Sequence, residues 1–170
     1  MNIYLVGFRC TGKTTVGKLL SQAMGWLFVD TDEHIVKAEG RSIAKIVKED
    51  GWAAFRGMEL RLLESLARRE DVVVSTGGGI VLDPENIRLM KGSGRTVWLK
   101  ASPRETCRRM MSDPATAPQR PALTTEGPLA EIEKVLKSRG PLYRSACDLE
   151  IDTDEEDPAG VVRKIMGNLR

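Results

Sequence analysis

The segment Gly7-Phe8-Arg9-Cys10-Thr11-Gly12-Lys13-Thr14 constrains the fold more than any other, because it matches GxxxxGK[ST] between an apolar run, Ile3 to Val6, and a helical pattern. That pattern spans Lys13 to Met24, with Val16, Leu19, Leu20 and Ala23 at helical spacing. Glycines let the backbone curl until its N–H groups converge on phosphate oxygens, and the positive end of the following helix adds to the attraction. In this arrangement Lys13 reaches the β and γ phosphates of a nucleotide and Thr14 ligates magnesium. A plain glycine turn does not require a Lys-Thr pair in phase with the helix start.

Strand and helix patterns alternate along the rest of the chain. Apolar runs recur at Trp26 to Val29, Val72 to Val74 and Thr96 to Leu99, with a short last one at Leu149 and Ile151. Helical patterning covers Ile35, Val36, Ile43, Ile46 and Val47, is interrupted at Gly57, and continues to Arg69. Pro84, Pro103 and Pro158 each stand at a helix start, and the helix from Ile132 to Leu142 is expected to end where Gly140 and Pro141 break it. Val- and Ile-rich strands separated by helices predict an α/β fold, a parallel sheet covered on both faces, with ligands at the carboxyl ends of its strands. Residues 1–170 fit one domain. Between 112 and 127, Pro114, Pro118 and Pro121 punctuate a stretch of little periodicity with Arg120 in its middle, which predicts a mobile lid.

Composition narrows the partners. A net charge of +2 and the absence of long like-charge runs argue against nucleic acid, while 16 arginines against 10 lysines suit a binder of small anions. Cys10, Cys107 and Cys147 form neither a CxxC pair nor an even set, so a reducing cytoplasm is expected. No stretch reads as a signal peptide or approaches the roughly 20 apolar residues of a membrane span. The NKxD signature of guanine specificity is missing. Asp157 to Gly160 fits DxxG only by chance, at a helix start near the end of the chain.

Several side chains stand where chemistry is expected. Asp30 and Asp32 follow the second apolar run, and a magnesium-dependent kinase needs one carboxylate near the metal and another near the accepting hydroxyl. In an extended chain the two would point the same way; a DxD before a helix also serves as an N-cap with a first-turn acid. Glu59 lies three residues after Arg56 and can orient its guanidinium. Gly77-Gly78-Gly79 permits close approach of a small substrate, or a flexible turn. Arg120 and Arg139 are candidates for anion contacts, His34 reads as a helix-surface residue, and Cys10 lacks the histidine partner of a catalytic thiol.

In order along the chain, GxxxxGKTT at Gly7 to Thr15, Asp30-Thr31-Asp32, Phe55-Arg56 with Glu59, the glycine triplet, Arg120-Pro121 with Leu123, and Arg139 before Pro141-Leu142-Tyr143 resemble the shikimate kinase family over nearly the whole chain. The resemblance implies a P-loop kinase of the nucleoside monophosphate kinase type: a five-stranded parallel sheet, a substrate-binding helical region at about 33–60, and a lid at about 112–127. It implies that ATP with Mg2+ phosphorylates the 3-hydroxyl of shikimate, giving shikimate 3-phosphate and ADP in aromatic amino acid (chorismate) biosynthesis. Lys13, Asp32 and Arg120 would be catalytic. Asp32, Arg56, Gly77, Gly78, Gly79 and Arg139 would bind the acid. Arg9, Cys10, Thr11, Gly12, Lys13, Thr14 and Thr15 would hold the nucleotide together with Arg120, Asp157 and an arginine beside adenine, Arg108 or, preferably, Arg109. Thr14, and Asp30 through water, would serve the metal. A cytoplasmic monomer without nucleic-acid or membrane partners is expected. A gluconate or nucleoside monophosphate kinase of the same fold, and a nucleotide-binding regulator without catalysis, are the rival readings.

Overall fold

The computed structural model describes residues 1–112 and 127–169. Five strands, β1 (Asn2–Val6), β2 (Leu27–Asp30), β3 (Val72–Ser75), β4 (Gly94–Lys100) and β5 (Leu149–Asp152), form one parallel sheet in the order β2-β3-β1-β4-β5. Every pairing is parallel. Helices α1 (Lys13–Met24), α2 (Thr31–Glu39), α3 (Ile43–Ala67), α4 (Pro84–Ser93), α5 (Pro103–Ser112) and α6 (Pro128–Ala146) lie between the strands, and α7 (Pro158–Asn168) follows β5. Strand alternation divides the core. Tyr4, Val6, Val72 and Val74 face Leu63, Met90 and Ala146 of α3, α4 and α6. Ile3, Leu5, Val73 and Leu99 face Val16 and Leu20 of α1 and Val161 and Ile165 of α7. β1 is buried along its whole length, as a central parallel strand covered on both faces must be.

Three sequence expectations need correction, the first being the interruption at Gly57: α3 runs through that residue, and its non-helical position is Gly51. The pattern from Ile35 to Val47 is two helices, because Gly40 closes α2 in the left-handed conformation (φ 64) and Ser42 caps α3 by accepting the Lys45 N–H. Nor does α6 end at Gly140 and Pro141; it runs on to Ala146. Pro141 forfeits the hydrogen bond an amide would give to Lys137, and Gly140, lacking Cβ, avoids the clash that disfavours helix before proline. Packing carries the helix past this weak point: Tyr143 is fully buried, its ring stacked on Trp98 at 5.5 Å between centroids. Among the described residues no helix is long and apolar enough to cross a membrane.

Candidate active site

The loop between β1 and α1 begins the site. Gly12 caps α1 with φ 88, a left-handed conformation open to glycine at little cost, and Cys10 shares that region at φ 60. Within the loop, the Thr11 hydroxyl donates to the Phe8 carbonyl at 2.9 Å. Lys13, buried, reaches back over the loop with Nζ 3.0 Å from the Gly7 carbonyl and 2.7 Å from that of Phe8. Thr15 is exposed.

At the end of β2, Asp30 and Asp32 do not lie on one extended strand. Asp30 is the N-cap of α2: its Oδ1 accepts the N–H groups of Asp32 and Glu33, and Asp32 sits in the first helical turn. Its other oxygen, Oδ2, accepts the hydroxyls of Thr14 at 2.8 Å and Ser75 at 2.9 Å. Capping and site-facing roles are thus divided between the two oxygens of one carboxylate. Ser75 enters through sheet register, which sets it opposite both Asp30 and Leu5; its position at the close of a strand was the only sequence signal. Thr14, Asp30 and Ser75 offer hard oxygen atoms, the donor type that Mg2+ takes, and one carboxylate suits an ion that keeps several waters and binds through substrate phosphates. The described residues contain no cluster of three or more His, Cys, Asp or Glu side chains able to cage a metal.

The glycine triplet lines a small cleft of about 50 Å³, walled also by Phe8, Arg9, Asp32, Arg56, Glu59 and Arg139. Arg56 pairs with Glu59, whose side chain is fully buried, and lies over the rings of Trp52 and Phe55 at 5.2 and 5.5 Å. Burial pushes the Glu59 carboxyl above its usual range, against the pull of Arg56. Its Oε1 has no hydrogen-bond partner among the described residues. Arg139 donates to the Gly78 carbonyl at 3.1 Å, and Tyr143 donates to the same oxygen.

Beside this cleft opens a groove of about 780 Å³ bounded by the phosphate loop, Asp30, Asp32, Ser75, Thr76 and the α2–α3 connection. Asp32 and Arg9 line both cavities.

Arg108 and Arg109 differ in their surroundings. Arg108 is 66% exposed and its guanidinium engages, among the described residues, only Glu105, whereas Arg109 donates to Glu105, to the Cys10 carbonyl at 3.3 Å, and to the hydroxyl and carbonyl of Thr153 at 3.1 and 2.6 Å. Those bonds tie the guanidinium to the phosphate loop and the approach to α7. Arg108 first and Arg109 second pull the Glu105 carboxyl down to about 2. Glu105 was legible from its i,i+3 and i,i+4 spacing to the two arginines, but Thr153 had no local signal. Asp157 is exposed and caps α7. His34 lies on the exposed face of α2, as its isolation suggested. Arg120 and the lid predicted at 112–127 fall, apart from the end residues 112 and 127, outside the described residues.

Comparison with known proteins supplies the remaining constraint. A family model described as shikimate kinase matches residues 9–170. The chain is 41% identical to the shikimate kinase of Hahella chejuensis over 169 residues, 99% of this chain and 86% of that protein. The solved shikimate kinase of Acinetobacter baumannii in complex with shikimate superposes with a TM-score of 0.91 at 33% identity, over 99% of this chain and 92% of that one. A gluconokinase from Sinorhizobium meliloti, covering 99% of this chain and 90% of its own, reaches only 0.59 at 20% identity, a likeness of fold alone.

Proposed function

The chain belongs to the shikimate kinase family, and from that premise we infer that it catalyses the ATP-dependent phosphorylation of shikimate, with the work divided between two adjoining cavities. The observation that carries this reading is the shared wall: Asp32 lines both the wide groove over the phosphate loop and the cleft that holds Arg56 and Arg139. A carboxylate at that junction lies between a phosphoryl donor and an acceptor hydroxyl.

In the cleft, Arg56 and Arg139 bind the acid's carboxylate through charge-assisted hydrogen bonds, Glu59 keeps Arg56 in place, and the backbone of Gly77 to Gly79 contacts the ring. Asp32 orients the 3-hydroxyl and accepts its proton as the oxygen attacks the γ-phosphorus of ATP and ADP departs with the bridging oxygen. Lys13 leaves the loop carbonyls to neutralise charge on the transferring phosphoryl group, with Arg120 as its partner on grounds of sequence. Backbone N–H groups from Arg9 to Thr15 cradle the phosphates, and the face of Arg109 with the segment ahead of α7, including Asp157, receives the adenine. Thr14, and Asp30 through water, would hold Mg2+, with the Ser75 hydroxyl beside them as a further oxygen donor. When bound, the ion would offset negative charge on the phosphates.

Residues 1–170 act as one domain in this reading, with 33–60 as the acid-binding helical region and 112–127 as the lid, in a cytoplasmic monomer. The test is a coupled ADP-release assay with Mg-ATP and shikimate, gluconate or nucleoside monophosphates as acceptor. Turnover with shikimate alone is expected, and Lys13→Ala should cut it by about 100- to 1,000-fold. Activity with another acceptor would overturn the substrate, and silence with all of them would leave a nucleotide-binding regulator.

A further inference from the structure

Arg9 belongs to the phosphate loop by sequence, yet its side chain sits at the boundary of the acid cleft. Its guanidinium lies 5.3 Å over the Phe8 ring, and Phe8 packs against Ile132 and Val135 of α6, so the arginine is supported from the side of the helix that carries Arg139. The side chain is only 11% exposed. Among the described residues its one acidic partner is Glu131, at 3.5 Å, the outer limit of a hydrogen bond. Burial, above all, disfavours the charged form of Arg9; Glu131 offsets part of that, and the nearby Arg139 adds a smaller unfavourable effect. Two guanidinium groups that disfavour each other across one cleft are relieved by an anion bound between them.

The cleft's own charges point the same way. Arg9, Arg56 and Arg139 stand against Asp32 and Glu59, so the lining carries a surplus of one positive charge when all five are ionised, offset in part from outside the lining by Glu131 at the limit of hydrogen-bond reach. One carboxylate removes that surplus. Without Arg9 the lining would already be neutral, and a bound monoanion would leave it negative in a half-buried setting, where uncompensated charge is costly.

We propose that Arg9 is a third arginine of the acid site, a specificity-determining residue that reads the negative charge of the acceptor rather than the nucleotide. The inference rests on shikimate as the acceptor. It assigns the Arg9 side chain to one cavity and leaves its backbone N–H in the phosphate cradle.

Steady-state kinetics with shikimate and with its uncharged methyl ester test it. In Arg9→Met, KM for shikimate should rise by about tenfold, the loss of one charge-assisted hydrogen bond, while KM for ATP stays within about twofold. The preference for shikimate over the ester, as a ratio of kcat/KM, should fall by a similar factor, and Arg9→Lys should restore part of it. Glu131→Gln, which keeps Arg9 and removes its acidic partner, should not reduce the preference.

Equal losses on acid and ester would make Arg9 a packing residue, and a rise in KM for ATP alone would assign it to the nucleotide. Either result, or an unchanged Arg9→Met, overturns the inference while wild-type turnover of shikimate leaves the functional reading standing. A wild-type protein silent with shikimate overturns both.

Discussion

A methyl group at Gly79 would lie 2.2 Å from Arg56 Nη2, and one at Gly77 would lie 2.7 Å from Glu59 Oε1 and 2.8 Å from Asp32 Oδ1. The triplet therefore makes room for the charged side chains that line the cleft. In sequence it read as close approach of a substrate or as a loose turn; what approaches is Arg56, from a helix more than 20 residues away, a contact no local pattern can encode. The Arg56–Glu59 spacing was legible, but its burial was not, since an i,i+3 pair looks the same on an exposed helix. Gly79→Ala gives a prediction at this scale. The clash falls on the mobile end of a side chain, so the fold should persist while Arg56 is pushed aside. KM for shikimate should rise by about tenfold or more, the cost of a hydrogen bond to a charged group, with KM for ATP unchanged. A parallel rise in both constants would mean that Arg56 does not serve the acid alone.

Among the elements, α3 holds an irregularity that its continuous span conceals. Gly51 has φ 85 and ψ 166, a region populated almost only by glycine, and it divides the turns that begin at Ser42 from those that carry Arg56 and Glu59. A Cβ there would meet nothing within 4 Å, so Gly51→Ala isolates backbone strain from packing. The expected loss is about 1–3 kcal/mol in urea unfolding. Gly92, inside α4 and equally uncrowded, is the control: Gly92→Ala should gain about 0.5–1 kcal/mol. Equal and small effects at both sites would contradict a strained junction in α3. The sequence marked neither this kink nor the passage of α6 through Pro141. Hydrophobic period reports which face is buried; it carries no record of a single residue's φ, nor of a stack such as Tyr143 on Trp98 that holds a helix together beyond its proline.

At the scale of the whole molecule, five apolar runs alternating with helices were enough to read a two-faced parallel sheet, because a strand buried on both sides must be apolar throughout. The order β2-β3-β1-β4-β5 was not contained in that pattern, and it is this order that brings Ser75 beside Asp30. Asp30 consequently joins the fold to the proposed metal chemistry: one oxygen caps α2 and the other meets Thr14 and Ser75. Asp30→Asn separates these duties, since asparagine caps a helix about as well as aspartate but carries no charge for a cation. Without ligand the variant should melt close to the parent. With Mg-ADP at 100 times its Kd, the parent should gain about 2.7 kcal/mol, which for a chain of this size is roughly 5–11 °C in Tm, and replacing Mg2+ by EDTA should remove part of that gain. In Asp30→Asn the melting points with Mg2+ and with EDTA should coincide. If the ligand-free variant were instead destabilised and its response to Mg2+ intact, Asp30 would be a cap and nothing more, and the metal would have to be held by Thr14 and the phosphates without it.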